Sequence, residues 1–154
     1  MNSVRVRMGE YMVSNSGKLL ITTVGSCVAI GLWDGDGIGG LAHIMLPEFD
    51  GKTELTGKYA DTAIPAMVEK MNNFGANIDN LHAKIAGGAQ MFSFPSSNLS
   101  IGQRNVQKVK EVLKEMGIEV RGEDVGSNHG RTIEFYTAEG KMLIKQSNMV
   151  ILEL

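Results

Sequence analysis

The stretch GSC at residues 25–27 contains Cys27, the only cysteine among 154 residues. A thiol is a strong nucleophile only as a thiolate, and a neighbouring imidazole is the usual base that removes its proton. The chain has three histidines, His43, His82 and His129. Of these, only His43 has a position that can be related to that of Cys27 from the sequence. The residue types therefore predict nucleophilic catalysis by Cys27 with His43 as the base.

Both residues belong to extended segments that flank the turn sequence DGDG at residues 34–37. In an antiparallel hairpin, a three-residue loop centred on Gly35 makes Cys27 and His43 face each other, with Cβ atoms roughly 4.5–5.5 Å apart. A two-residue turn at Gly35-Asp36 sends the two side chains to opposite faces instead. Both loop lengths are common in hairpins, so both registers remain open.

Structural roles compete with the catalytic hypothesis. A lone buried cysteine often acts as a small apolar core residue, and His43 could be a hydrogen-bonded histidine of the core. Two features favour catalysis. Gly25 and Ser26 precede Cys27, where backbone N–H groups can turn toward a developing oxyanion. In addition, the adjacent strand carries the histidine that is placed to reach the thiol.

Three further motifs have alternative interpretations. The sequence GDGIGG at residues 35–40 has the GxGxxG spacing of a dinucleotide site, but a strand follows it where that site needs a helix, so we interpret it as a hairpin. AGGAQM at residues 86–91 indicates a tight turn or the edge of a ligand pocket. NLS at residues 98–100 has the pattern of a glycosylation acceptor, which has no role in a cytoplasmic chain.

Composition excludes several classes of function. A formal net charge of -2, with no segment richer in Lys and Arg than a helix face, argues against nucleic acid or an anionic membrane as the main partner. No apolar stretch approaches the ~18–20 residues of a membrane span. One cysteine permits no internal disulfide, which favours a cytoplasmic protein. Catalysis by a thiol and an imidazole needs neither a metal nor another cofactor, and no cluster of ligands in the sequence has zinc spacing.

Periodicity predicts the elements that must position Cys27 and His43. Alternation of apolar residues predicts a strand at residues 3–13, and enrichment in Thr, Val and Ile predicts a longer one at residues 18–33. Further strands are predicted at residues 40–47, at residues 83–92, where a short buried strand enters a glycine turn, and between residues 118 and 154. Apolar residues at helical spacing predict helices at residues 58–74 and 101–117. We therefore expect a single domain over residues 1–154. Its fold class is mixed α+β, with two main helices and mostly antiparallel sheet layers.

Several motifs in order resemble the CheD family, the chemoreceptor glutamine deamidases of bacterial and archaeal chemotaxis. The resemblance covers about residues 5–140 and rests on GSCVAIGLWD, GIGGLAHIMLP, GKYADTAIPAMVEKM, AKIAGGAQMF, IGQRNVQKVKEVLKEMGI and EDVGSNHGRTIEF. It implies a fold similar to the α/β sandwich of the cytotoxic necrotizing factor deamidases.

The resemblance also implies roles for individual residues. Cys27 corresponds to the nucleophile of the GSC motif, and His43 corresponds to the base of the HxMLP motif. In the family a threonine several residues before the cysteine orients the imidazole, but an ungapped count places Ile21 there. Alternation along the strand puts Thr23 on the Cys27 face, whereas a shift of one residue favours Thr22. Both threonines therefore stay candidates for the third role.

The implied activity is hydrolysis of glutamine side chains on methyl-accepting chemotaxis receptors, with release of ammonia. Because such a glutamine lies on the surface of a long helical bundle, we expect an open groove rather than a deep pocket. Two alternatives stay open. The chain could act mainly as a partner of CheC, a response-regulator phosphatase, or it could hydrolyse methyl esters of receptor glutamates.

Overall fold

The computed structural model describes residues 2–52, 54–91 and 99–154. The NLS motif begins at residue 98 and the predicted strand over residues 83–92 ends at residue 92, so both extend outside the described residues. Within these ranges the chain folds as ten strands and two α-helices, which confirms the mixed α+β class. The elements are β1 Ser3–Arg5, β2 Tyr11–Ser14, β3 Leu19–Val24, β4 Val28–Trp33, β5 Gly39–Ile44, α1 Ala60–Asn73, β6 His82–Gly87, α2 Ile101–Glu115, β7 Glu119–Val125, β8 Arg131–Tyr136, β9 Lys141–Gln146 and β10 Met149–Glu153.

The strands form two five-stranded sheets. The first sheet has the order β1-β3-β8-β9-β10, and the second sheet has the order β2-β5-β4-β6-β7. Among the described strands, β1 pairs in parallel with β3 and β6 pairs in parallel with β7, while the other pairs are antiparallel. The prediction of mostly antiparallel sheet layers is therefore confirmed.

The two sheets and the helices form three layers. Both helices pack on one face of the second sheet, where Ile30, Ile64 and Val109 share a buried apolar cluster. The other face of that sheet packs on the first sheet through a second cluster that includes Leu41 and Phe135. Because β4 and β5 are covered on both faces, they are buried along nearly their whole length rather than at alternate positions.

Two of the predicted strands are each divided between the sheets, so predicting each as one continuous strand was wrong. The segment 3–13 forms β1 in the first sheet and β2 in the second, with Gly9 between them at φ 75°. The segment 18–33 likewise forms β3 in the first sheet and β4 in the second. Residues 25–27 join β3 to β4, so Cys27 lies where the chain crosses between the sheets.

The hairpin between β4 and β5 has a five-residue loop. Ala29 pairs with His43 and Trp33 pairs with Gly39. The Asp34 carboxylate accepts hydrogen bonds from the backbone N–H groups of Asp36 and Ile38, at 2.8 and 3.0 Å. An aspartate that bonds its own loop in this way stabilises a longer turn. The register therefore follows neither of the two predicted loops, and Cys27 does not directly face His43.

Helix α2 begins with a capping box. The Ser100 hydroxyl accepts a hydrogen bond from the Gln103 N–H, and the Gln103 side chain accepts one from the Ser100 N–H. These two bonds satisfy donors that the first turn of a helix leaves free. They fix the point at which α2 starts, and with it the position of Asn105 in the second turn. No helix of the described residues is long and apolar enough to cross a membrane.

Candidate functional site

The imidazole of His43 is held by a threonine from the other sheet. His43 lies on β5 of the second sheet and is 2% exposed, and Thr22 lies on β3 of the first sheet and is 1% exposed. Their side chains meet between the sheets, with Thr22 Oγ1 2.7 Å from His43 Nδ1. The same hydroxyl donates a hydrogen bond of 2.7 Å to the Val6 carbonyl.

These two contacts determine the tautomer of the imidazole. A hydroxyl has one proton, and Thr22 donates it to Val6, because a carbonyl oxygen cannot donate. Thr22 must therefore accept its other hydrogen bond, and His43 Nδ1 must carry the proton. The Nε2 atom of neutral His43 is then an unprotonated acceptor. It is buried and has no hydrogen-bond partner among the described residues, so its lone pair is available as a base.

Burial keeps the imidazole neutral. Removing a charged group from water disfavours its charged form, and burial accordingly lowers the pKa of His43 below its usual value. The backbone of His43 is held by the two residues that precede β2, since its N–H donates to the Glu10 carbonyl at 2.9 Å and its carbonyl accepts from the Gly9 N–H at 3.0 Å. A fixed, neutral imidazole with a free Nε2 is suited to general-base catalysis.

Cys27 lies one residue before β4 and is partly exposed. Its side chain packs against the apolar cluster between the sheets, the same space that His43 occupies. In the ladder Ala29 pairs with His43, so Cys27 is a diagonal neighbour of the histidine on the same face of the sheet. Burial raises the pKa of the Cys27 thiol, because desolvation disfavours the thiolate. The resting pair is therefore a neutral thiol beside a neutral imidazole.

The alternation argument for Thr23 was wrong. Thr23 is exposed on the outer face of the first sheet, where its hydroxyl lies 3.3 Å from the Thr132 hydroxyl of β8. Because the chain changes sheets at residues 25–27, the two-residue period cannot be counted from Cys27 back to β3. The structure thus brings Thr22 to His43 and leaves Thr23 outside the site.

The turn after β6 holds the loop that carries Cys27. The Gly88 N–H donates to the Cys27 carbonyl at 2.8 Å, and the Ala89 N–H donates to the Gly25 carbonyl at 2.9 Å. Gly87 has φ 113°, and a Cβ atom there would lie 2.4 Å from the Cys27 carbonyl oxygen. Of the two interpretations of AGGAQM, the tight turn describes these contacts, and its close approach to the loop that carries Cys27 requires glycine.

Sequence reasoning missed Asn105, a completely buried residue of α2. Its Nδ2 donates two hydrogen bonds of 3.0 Å, one to the Ser26 carbonyl and one to the Met45 carbonyl. Ser26 directly precedes Cys27, and Met45 lies two residues after His43. The sequence did contain a signal, because Asn105 is a polar residue in the apolar stripe of α2, four residues before Val109.

A groove opens beside this arrangement. It has a volume of about 350 Å³ and lies between α2 and the residues that follow β5. Its lining residues are Leu46, Pro47, Glu48, Ile101, Arg104, Gln107, Lys108 and Glu111. Cys27 is not among these lining residues, so the groove borders the candidate site without containing the thiol.

The other histidines lie elsewhere. His82 begins β6 and packs edge-on against Trp33, with ring centroids 5.1 Å apart. His129 Nδ1 lies 3.2 Å from the Ser127 hydroxyl, in the connection between β7 and β8. In the described part of the chain, no group of three or more His, Cys, Asp or Glu side chains is arranged to hold a metal ion.

Known proteins resemble this chain over most of its length. It is 44% identical over 143 residues to the chemoreceptor glutamine deamidase CheD of Thermotoga maritima, covering 92% of this chain and 90% of that protein. Two relatives carry the name "Probable chemoreceptor glutamine deamidase CheD". That of Clostridium botulinum is 48% identical over 92% of this chain and 91% of its own length. That of Methanococcus vannielii is 44% identical over 96% of this chain and 97% of its own length.

A family model and a solved structure extend the comparison. The family described as CheD chemotactic sensory transduction matches residues 45–146, a range that begins just after His43. The crystal structure of the hypothetical protein YfiH of Bacillus licheniformis superposes with a TM-score of 0.51 at 12% identity. That match covers 82% of this chain and 60% of the YfiH chain, and it supports the fold alone.

Proposed function

Since the chain belongs to the CheD family, we propose that it deamidates glutamine side chains of methyl-accepting chemotaxis receptors. The products are glutamate and ammonia. Cys27 is the nucleophile, His43 is the general base and acid, and Thr22 orients the imidazole. One observation carries the assignment. Thr22 accepts the Nδ1 proton of His43, which leaves Nε2 unprotonated in the layer between the sheets, against which the Cys27 side chain also packs.

The first half of the proposed reaction forms a thioester. His43 Nε2 takes the proton of the Cys27 thiol, and the sulfur attacks the carboxamide carbon of the glutamine. Backbone N–H groups near Cys27 stabilise the resulting oxyanion. The imidazolium then gives its proton to the departing nitrogen, the C–N bond breaks, and ammonia leaves.

The second half hydrolyses the thioester. His43 Nε2 takes a proton from water, and the hydroxide oxygen attacks the thioester carbon. The C–S bond breaks, the proton returns to the Cys27 sulfur, and the glutamine has become a glutamate. These steps use no metal and no other cofactor. The reaction belongs in the cytoplasm, because a thiol nucleophile stays reduced in a reducing compartment.

The test measures ammonia release from purified cytoplasmic fragments of the receptors. The wild-type protein should release ammonia and convert identified glutamines to glutamates, as read by peptide mass spectrometry. Cys27→Ala and His43→Gln should each abolish release while keeping the circular-dichroism spectrum. The control is His82→Gln, a buried histidine of the same sheet outside the site, which should retain activity. Full turnover by Cys27→Ala would refute the proposed mechanism.

The wild-type protein and Cys27→Ala also test the two alternative functions, ester hydrolysis and partnership with CheC. Methylated receptor peptides, offered in parallel with amidated ones, test ester hydrolysis. A role as a partner of CheC is tested by adding wild-type protein or Cys27→Ala to that phosphatase and measuring phosphate release. The family resemblance implies this alternative, and the uncertain position of the threonine added weight to it. The Thr22–His43 hydrogen bond supports deamidation, because it supplies the threonine contact that the proposed site needs.

A further inference from the structure

We propose that Asn105 is a positioning residue for this deamidation, setting the separation between the loop that carries Cys27 and the strand that carries His43. This inference rests on the proposed function for its kinetic consequence. Its geometric basis is the pair of hydrogen bonds that the Asn105 amide donates. These hydrogen bonds go to the backbone of residues near the thiol and the imidazole rather than to those groups, so Asn105 acts through the backbone.

The backbone ladder between β4 and β5 does not extend to the thiol. Its last pair is Val28 with Ile44. Beyond that pair the two strands take different partners. The Cys27 carbonyl accepts from the Gly88 N–H at 2.8 Å, and the Met45 N–H donates to the Lys58 carbonyl at 2.9 Å. The two strands therefore diverge at the point where the relative positions of Cys27 and His43 matter most.

The Asn105 amide spans this gap. Its two Nδ2 protons go to the Ser26 carbonyl and the Met45 carbonyl, both at 3.0 Å. Since both acceptors are carbonyl oxygens, the reversed amide would place three oxygens together and is disfavoured. One planar group thus ties the residue before Cys27 to the residue that follows β5. Two bonds from one rigid amide restrict both the distance and the angle between these segments.

The burial of Asn105 is costly for the fold. The residue is 0% exposed, and its Oδ1 has no hydrogen-bond partner among the described residues. Burying an amide whose oxygen has no partner costs free energy. Val109 and Leu113, on the same face of α2, are the apolar residues expected in a helix stripe. We therefore assign the polar side chain to the geometry of the site.

The test compares Asn105→Leu, which removes both donors at similar volume, with Leu113→Ala, a buried substitution on the same helix away from the site. Asn105→Leu should lower kcat by about 10²-fold with KM within about two-fold, because small misplacements of reacting groups cost that much. Leu113→Ala should lower the melting temperature and keep kcat at a temperature where it is folded. Asn105→Ala is the second variant if the leucine does not fit. Wild-type kcat in a folded Asn105 variant would overturn the proposal.

Thiol alkylation separates failure of this proposal from failure of the proposed function. Iodoacetamide alkylates the Cys27 thiol without any receptor, and His43 Nε2 can assist by taking the thiol proton. The contribution of His43 is the alkylation rate of the wild type minus that of His43→Gln. Asn105→Leu should lose that fraction, and Leu113→Ala should keep it. If the wild type releases no ammonia but this pattern holds, the positioning role stands and the activity does not. Equal alkylation rates in wild type and Asn105→Leu would contradict the positioning role.

Discussion

Thr22 and His43 lie on strands of different sheets, and the 2.7 Å contact between Thr22 Oγ1 and His43 Nδ1 joins the two layers at the candidate site. This contact has two consequences. It fixes the proton on Nδ1, and it makes the orientation of the imidazole depend on how the sheets pack. A substitution at Thr22 can therefore change the orientation of the His43 imidazole while both Cys27 and His43 stay in place.

The orienting role of Thr22 predicts a specific order of variants. Thr22→Val removes the acceptor for the Nδ1 proton, so deamidation should fall by about 10²-fold, the lower end of what a positioned base contributes. Thr22→Ser keeps the hydroxyl and should retain most activity. Thr23→Val is the matched control, since Thr23 is exposed and contacts only Thr132 among the described hydroxyls. Initial rates of ammonia release measure the effect. Equal rates in Thr22→Val and Thr23→Val would refute the role.

The directions of the pKa shifts predict the pH dependence of thiol reactivity. Burial raises the pKa of Cys27 above 9.0 and lowers that of His43 below 6.5, so thiol and imidazole are both neutral at pH 7. Alkylation of Cys27 by iodoacetamide should be slow at pH 6 and still rising at pH 9. A fast rate at pH 6 with a plateau above it would indicate a thiolate–imidazolium pair and contradict this prediction. Mass spectrometry of the modified peptide gives the rates.

Buried His43 should also make the fold sensitive to acid. Its pKa is lower in the folded chain than its ordinary 6.5, so the folded state binds fewer protons than the unfolded state. The stabilising contribution is complete above about pH 6.5 and is lost as the pH falls through the folded value. Urea unfolding at pH 8 and pH 5 should show a smaller loss of stability for His43→Gln than for wild type. If wild type and His43→Gln lose the same stability between pH 8 and pH 5, His43 is not the source of the acid sensitivity.

A glycine in α2 provides a test of packing against helix propensity. Propensity alone predicts that Gly102→Ala stabilises the helix by about 0.5–1 kcal/mol. A Cβ atom there would lie 2.4 Å from the Ala89 carbonyl oxygen and 2.5 Å from that of Gly88. We therefore expect a net loss of about 1–3 kcal/mol, with lower deamidase activity because this turn holds the Cys27 loop.

The control for this substitution is Gly130→Ala. A Cβ atom at residue 130 would approach the Val24 carbonyl oxygen to 3.4 Å, an ordinary contact. Its unfolding midpoint should stay close to that of wild type. If Gly102→Ala proves as stable as Gly130→Ala, the close packing of α2 on the glycine turn is not what fixes the loop that carries Cys27.

Local physical rules determined much of this protein from its sequence. Apolar residues at helical spacing predicted both helices, and residue chemistry selected Cys27 and His43. The glycine pair in AGGAQM predicted a tight turn, because only glycine takes the backbone conformation of Gly87 without strain. Motif order also identified the family. The helix and turn predictions depend on residues close together in the chain, and the family resemblance depends on the order of short motifs.

The tertiary structure decided which groups meet at the candidate site. A two-residue period gives the two faces of a strand but not the sheet to which the strand belongs. The split of residues 18–33 into β3 and β4 was therefore not predictable from alternation, and it is this split that turns Thr22 toward His43 and Thr23 toward Thr132. The loop length of the hairpin depended on a side chain, Asp34, that bonds its own turn.

Asn105 illustrates the same limit at longer range. Its acceptors lie 79 and 60 residues away in the chain, on Ser26 and Met45. Composition and helical periodicity marked it only as a polar residue on an apolar face. What that residue contacts depends on how α2 docks on the second sheet. Such docking is the sum of many weak apolar contacts between distant segments, and no local pattern encodes it.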